Sequence, residues 1–429
     1  MTPPRRPMHP QTQMLMAGYD PQLSEGSVVP PLFRTSTFVF RSAADGKRAF
    51  QLAYGLDEAA PGEIPALIYT RVNNPNVNIV EDRIVAWDGA EAAALFSSGM
   101  GAIACACFTH LRPGDSLLFA DPVYGGTEYL FRHSLPEFGI QAVPYPAGSK
   151  IEVVREMAAG MKNLKMIYME TCANPSSVLN DIAAAAQLAA ELDPRPLVVV
   201  DNTYLGPVFC QPIRLGADIV VYSATKFIGG HSDLIAGFAL GRRSVVTPML
   251  GTRTIFGACP DPETAWLICR SLGTLRLRME KQAESAARVA RFLQSDPRVK
   301  DVLFPGLDCM GTDQVELYQR QCSGPGSVMS FTVEGGEREA FAVLDNLRVF
   351  HLAVSLGGIE SLAEHPYTMT HAELDAEIKE RVGISPALVR ISVGLEDVDD
   401  LVADLRQALD AMERMVARDR SEELASYSI

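Results

Sequence analysis

From about residue 90 onward, short apolar runs alternate with longer amphipathic stretches. The runs are Ala93–Phe96, Ser116–Ala120, Met166–Met169, Leu197–Val200 and Ile219–Tyr222, each four or five residues long. They are too short for helices and almost wholly apolar, the pattern of strands covered on both faces. Stretches of helical character such as Asp181–Leu192 lie between them. This alternation predicts an α/β fold with a mostly parallel sheet under helices on both sides.

Pro260–Pro262 breaks that pattern. Beyond it, Glu263–Leu293 reads as one long helix with an apolar stripe. Ser327–Val333 and Leu388–Val393 alternate, which predicts a second, smaller sheet. Val398, Leu401, Val402, Leu405, Leu409 and Met412 follow the spacing of an amphipathic helix. The first 75 residues show no comparable period. Ser27–Phe40 is extended in character, with Pro30–Pro31 and no partner nearby in sequence. Arg41–Ala66 carries a helical patch and then a polar turn at Pro61-Gly62-Glu63. The expected organisation is an N-terminal arm over 1–75, a large domain over 76–264 and a smaller α+β domain over 265–429. No internal repeat is visible.

Composition narrows the function class. A chain of 429 residues has room for two or three structural units at about 150 residues each. Its net charge of −14 repels phosphate backbones, so no nucleic-acid partner is expected. Apolar residues at 47% and charged residues at 21% exclude disorder over most of the length. The longest apolar segments run to about nine residues, short of the roughly 20 that a membrane span needs. Met1–Met16 has no apolar stretch after Arg5–Arg6 and does not read as a secretory signal. Eight scattered cysteines with no CxxC pair read as reduced thiols in a cytoplasm. The seven histidines show no metal spacing, so no metal is expected.

A polar cluster follows each apolar run: Ser97–Gly101, Asp121–Thr127, Glu170–Asn174, Asp201–Tyr204 and Ser223–Lys226. Ligands of open α/β sheets bind at the carboxyl ends of the strands, so these clusters should converge on one crevice. Lys226 follows a buried strand, and burial would leave its amine nucleophilic. Taken alone, it fits a surface lysine at a strand end better. Asp201 ends the most apolar strand, where a carboxylate needs a cationic partner or serves as a helix cap. Ser97-Ser98-Gly99-Met100-Gly101 suits an anion at a helix start or a plain tight turn. Arg71, beside Tyr69 in the arm, suits a phosphate or a solvated loop. Tyr124 offers an aromatic face and a phenol, or packing. Arg390 lies inside an apolar strand and needs a carboxylate, internal or from a substrate.

Together, a lysine, an aspartate, a phosphate cradle and an aromatic cap are the parts a pyridoxal phosphate enzyme needs. The chain resembles the Cys/Met-metabolism family of such enzymes over nearly its whole length. The resemblance runs through Thr35-Ser36-Thr37-Phe38, Tyr69-Thr70-Arg71 with Asn74-Pro75, Ser98-Gly99-Met100, and Asp121-Pro122 with Tyr124-Gly125-Gly126-Thr127. It continues through Glu170 with Asn174-Pro175, Asp201-Asn202-Thr203, Ser223-Ala224-Thr225-Lys226 and Gly229-Gly230-His231-Ser232-Asp233. It ends with Ser355-Leu356-Gly357-Gly358, Glu360-Ser361-Leu362, His365-Pro366, Met369-Thr370-His371 and Arg390-Ile391-Ser392-Val393-Gly394.

The resemblance implies an aminotransferase-like (fold type I) architecture and pyridoxal 5'-phosphate as cofactor. It implies that Lys226 holds the cofactor covalently and shuttles protons. Asp201 would pair with the pyridine nitrogen, and Tyr124 would stack on the ring and act in acid–base steps. Gly99 and Met100 with the Ser223 and Thr225 hydroxyls would hold the phosphate. Tyr69 and Arg71 would complete that site from the neighbouring subunit. Asn174 would contact the ring's 3-oxygen, and Arg390 and Ser355 would hold the carboxylate of a small amino-acid substrate. Family members are usually homotetramers built from two active dimers.

Three departures bear on the substrate. Val354 precedes Ser355, where the cystathionine γ-enzymes often carry a Glu suited to a distal ammonium. Gly126 stands where a methionine γ-lyase would carry a Cys. The arm is extended over about 41–66 and would line the pocket entrance. The expected activity is γ-elimination on a sulfur amino acid, as in methionine γ-lyase. The alternatives are γ-replacement on O-acylhomoserine, of cystathionine γ-synthase or sulfhydrylase type, and cystathionine γ-lyase. A non-catalytic cofactor-binding role would not explain Lys226, Tyr124 and Arg390 kept together.

Overall fold

The computed structural model describes residues 8–60 and 63–426. The segment with the Arg5–Arg6 pair and the Pro61-Gly62 part of the expected turn lie outside the described residues. A seven-stranded sheet occupies the first half of the chain. Its strands are β1 (Ala92–Phe96), β2 (Ser116–Asp121), β3 (Gln141–Pro146), β4 (Leu164–Glu170), β5 (Leu197–Asp201), β6 (Ile219–Ser223) and β7 (Gly237–Gly241). The order is β1-β7-β6-β5-β4-β2-β3, and only β7 runs antiparallel to its neighbours. The fold is therefore α/β with a mostly parallel central sheet.

Alternate residues of each strand feed two apolar layers. Val198 and Val200 face one and Val199 the other, all fully buried. Covering both faces demands apolar side chains at every position, which is why these strands show no period of two. Each such valine contributes about 1.5–3 kcal/mol of burial.

Two strands escape the apolar pattern. Strand β3, with Pro144 and Pro146, sits at the sheet edge, where a missing N–H is tolerated. Strand β7 has glycine at both ends because a Cβ on Gly237 would meet the Ser98 carbonyl oxygen at 2.3 Å.

A five-stranded sheet lies in the second half. Its strands are β8 (Val299–Leu303), β9 (Val328–Val333), β10 (His351–Leu352), β11 (Leu362–Glu364) and β12 (Leu388–Ser392), in the order β10-β11-β12-β9-β8. Leu293, Val343, Leu401 and Leu405 from three helices pack with it in one core. The last of these helices is Val398–Ser426.

The stretch expected as one helix over Glu263–Leu293 is two helices, Pro262–Leu272 and Leu275–Ser295. A buried cation sits just beyond the break. The buried Arg278 guanidinium donates to the carbonyls of Phe227 at 2.8 Å, Ile228 at 3.3 Å and Ser271 at 3.2 Å. It thereby ties the helix pair to the loop that carries Lys226.

The extended segment near the N-terminus finds its partners in side chains and in a backbone bridge between Thr37 and Tyr69. Asn76 accepts from the Phe33 N–H and donates to the Pro31 carbonyl, both at 2.8 Å. Asn74 donates to the Phe33 carbonyl at 3.0 Å, and the Trp266 indole to the Pro30 carbonyl at 2.9 Å. The helical patch is Ala43–Ala53, capped by Ser42. Among the described residues, no helix is long and apolar enough to cross a membrane.

Candidate active site

The carboxyl ends of β2, β4, β5 and β6 and the first turn of the helix Gly99–His110 surround a cavity of about 440 Å³. Ten residues singled out from the sequence line it: Gly99, Met100, Tyr124, Asn174, Asp201, Ser223, Thr225, Lys226, Ser355 and Arg390. Tyr69 and Arg71 do not. They lie outside it, where the Arg71 guanidinium sits 5.8 Å from the Tyr69 ring centroid and donates to the Thr254 carbonyl at 3.0 Å.

Lys226 comes three residues after β6, on the wall between the two sheets. Its Nζ donates to Ser355 Oγ at 2.6 Å. Burial, then the Arg390 charge, lowers its pKa to about 8. Ser355 has φ +95°, a costly conformation for a residue with a side chain. The strain places its Oγ on Lys226 while its carbonyl accepts from Arg390 at 2.8 Å.

Arg390 is buried in β12 and ion-paired with the buried Glu364 at 2.7 Å. It also donates to Asn174 Oδ1 at 3.0 Å. Both the internal carboxylate and the open side of the cavity are therefore within its reach. One guanidinium can serve both because it carries five donors.

Opposite, Asp201 ends β5. Its Oδ1 accepts from the Thr203 N–H at 2.9 Å, and Tyr168 Oη donates to Oδ2 at 3.5 Å. Burial raises its pKa despite these bonds. Glu170, the paired residue on β4, is also buried. Burial and the neighbouring Asp201 raise it to about 8. No ion pair neutralises Asp201 or Glu170 among the described residues. Two buried carboxylates side by side call for a cation between the walls.

Glu170 stood in the sequence as part of a polar cluster and of the motif with Asn174-Pro175, with no role attached. Its Oε1 accepts from the Tyr124 N–H at 2.5 Å and its Oε2 from the Asn174 N–H at 3.1 Å. It therefore holds two lining residues from one point.

The helix Gly99–His110 presents its N-terminus to the same space. Ser98 Oγ accepts from the Gly101 N–H at 2.9 Å and leaves the amides before it to a ligand. A Cβ on Gly99 would meet the Ser223 Cβ at 2.9 Å, so only glycine lets this turn close on the strand. Small residues, backbone amides and two hydroxyls fit an anion; the carboxylate opposite fits a protonated ring nitrogen. Pyridoxal phosphate carries both.

Ile235, Met369, Thr370, Thr203 and Tyr204 also line the cavity. Met369 and Thr370 appeared in the sequence only within the motif Met369-Thr370-His371, with no role attached, and no sequence signal marked Ile235; all three arrive from loops distant in the chain. The Thr370 hydroxyl donates to Glu364, the ion-pair partner of Arg390, at 2.9 Å, which holds this segment at the site.

Comparison with known proteins returns one family. The family model described as Cys/Met metabolism PLP-dependent enzyme matches residues 11–410. An L-methionine gamma-lyase of Porphyromonas gingivalis is 40% identical over 90% of this chain and 94% of its own. One from Pseudomonas putida is 39% identical over 93% and 97%. A human cystathionine gamma-lyase is 38% identical over 94% of each. The crystal structure of metB from Corynebacterium glutamicum superposes with a TM-score of 0.83 at 34% identity, over 94% of this chain and 98% of that one.

Proposed function

The chain belongs to the Cys/Met metabolism PLP-dependent enzyme family, and from that premise we propose that it catalyses γ-elimination on L-methionine or a close thioether analogue. Water enters, and 2-oxobutanoate, ammonia and a thiol leave. The cofactor is pyridoxal 5'-phosphate. When bound, it supplies an electron sink for charge developing at the substrate's α-carbon.

The chain's own residues do the rest. Lys226 Nζ holds the cofactor and moves the protons at the substrate's α- and β-carbons. Asp201 holds a proton on the pyridine nitrogen. The Gly99 and Met100 amides and the Ser223 and Thr225 hydroxyls bind the phosphate. Tyr124 covers the ring and carries a proton at its phenol oxygen, and Asn174 reaches the ring's 3-oxygen. Arg390 and Ser355 orient the substrate carboxylate. Tyr69 and Arg71, on an arm spanning 1–75, complete the phosphate site of a neighbouring subunit in a cytoplasmic homotetramer of two active dimers. Residues 76–264 form the cofactor domain and 265–429 the smaller one.

One observation carries the choice of substrate. The mouth of the cavity is apolar: Ile235 is 67% exposed, Val354 55% and Met369 37%, and all three line it. The charged lining residues are Glu170, Asp201, Lys226 and Arg390, all with tasks at the floor. A thioether methyl suits such a rim, whereas the distal ammonium and carboxylate of cystathionine would lose water there without a partner.

Gly126 favours a second reading, γ-replacement on an O-acylhomoserine, whose ester is uncharged until it leaves as a carboxylate. A Cβ at Gly126 would meet the Tyr124 ring at 2.8 Å, so a Cys there would displace the ring.

A panel of methionine, homocysteine, cystathionine and O-acylhomoserine, assayed for keto acid and thiol, decides. Methionine alone should yield 2-oxobutanoate and methanethiol. No keto acid from methionine or homocysteine defeats the proposal. Product only when O-acylhomoserine and a nucleophile are both present establishes the second reading.

A further inference from the structure

All eight cysteines are free, and Cys210 and Cys322 face each other across an isolated antiparallel bridge. Cys210 follows the short helix Gly206–Phe209, and Cys322 ends the helix Thr312–Gln321. Beside the pair, the Ser323 N–H donates to the Phe209 carbonyl at 2.8 Å. With that bond flanking them, the two cysteines form a non-hydrogen-bonded pair. Such pairs bring their Cα atoms to about 4.5 Å with side chains on one face. A disulfide spans Cα separations of roughly 4.4–6.8 Å.

The surroundings support sulfur proximity. The Cys322 sulfur beside it, and then burial, push the Cys210 thiol well above its usual range. Phe209 packs so closely on the following loop that a Cβ on Gly324 would meet its ring at 2.3 Å, which holds the two strands together. Neither cysteine lines the catalytic cavity.

We propose that Cys210 and Cys322 form a reversible disulfide, a redox modification site separate from the catalytic cavity, written by small-molecule disulfides. Cys322, the more exposed of the two, loses its proton and attacks one sulfur of oxidised glutathione. That S–S bond breaks and one glutathione leaves as a thiolate. Cys210 loses its proton and attacks the Cys322 sulfur of the mixed disulfide, which releases the second glutathione. Two protein thiols are oxidised, one small disulfide is reduced to two thiols, and the two protons end on them. The cross-link closes a loop of about 110 residues, so it restricts the unfolded chain more than the folded one. It also tightens the floor of the catalytic site, because Asn202, next to Asp201, donates to the Cys210 carbonyl at 2.9 Å.

The test uses the holoenzyme. After incubation with oxidised glutathione, the denatured chain should show two fewer titratable thiols than the eight of the reduced protein. Non-reducing peptide mapping should join the Cys210 and Cys322 peptides. The thermal midpoint should rise by several degrees, and dithiothreitol should reverse all three changes. Cys322→Ser should show none of them; Cys210→Ser should stop at a single mixed glutathione disulfide and serves if the first variant fails to fold. Eight thiols after oxidation, a persistent mixed disulfide on Cys322 in the wild type, or a link between other cysteines such as Cys172 and Cys322 would overturn the proposal.

Discussion

Desolvation sets the reactivity of Lys226. An ammonium loses more on burial than an amine, and Arg390 adds like-charge repulsion, so the pKa falls to about 8. The sign follows directly: below pH 8 the group is mostly charged and inert, and the nucleophilic amine appears as pH rises through that value. Uptake of pyridoxal phosphate by the apoenzyme, followed by its visible absorbance, should therefore accelerate between about pH 7 and 9. A pH-independent rate would contradict this. Lys226→Ala should lose that absorbance altogether. Glu170 acts through other residues. The Glu170 carboxyl group offers an oxygen to each of the Tyr124 and Asn174 amides, whereas a glutamine offers one acceptor and sets its NH₂ against the other donor. Glu170→Gln should cost about 10- to 100-fold in kcat/KM, the price of one unsatisfied buried donor. Circular dichroism should be unchanged. Unaltered kinetics would mean that Tyr124 and Asn174 hold their places without it.

Among the elements, the junction of the helix Gly99–His110 with β6 and β7 decides whether an anion can bind. Gly99→Ala would drive a methyl group against the Ser223 Cβ and Cα at 2.9 and 3.1 Å. One of the two must retreat, and both belong to the proposed phosphate cradle. Equilibrium dialysis should show pyridoxal phosphate bound at least ten-fold more weakly, with far less effect on thermal stability. Wild-type affinity in this variant would place the phosphate elsewhere. The strands β2, β4, β5 and β6 were legible because each is apolar on both faces and ends in a polar cluster. Strands β3 and β7 were not, since edge position tolerates proline and close backbone approach demands glycine. The continuous stripe over Glu263–Leu293 hid a break, and just beyond it Arg278 reaches carbonyls of a loop fifty residues earlier.

The arm gives the whole molecule its unfinished surface. Val39 is 96% exposed, Val28 88% and Ile64 86%, on a segment pinned to the body by Asn74, Asn76 and Trp266. Apolar surface of this extent is characteristic of a contact with another chain. Light scattering should give a mass near four times the 46.6 kDa of one chain. Removal of residues 1–66 should lower that mass and weaken cofactor retention together. A monomer of full activity would refute the shared site.

Chain order alone determined the alternation of strands and helices, the clustering of polar residues at strand ends, and the motif series that places Lys226, Asp201, Tyr124 and Arg390 in one family's pattern. Those features are local or repeat in order, so they survive in one dimension. Only the tertiary structure decided that Glu170 and Asp201 share one buried space, that Glu364 neutralises Arg390, and that Ile235, Val354 and Met369 make an apolar rim. It alone set Cys210 against Cys322. Each of these depends on groups brought together from distant parts of the chain and on how much water the packing removes, and neither quantity is written in the spacing of residues.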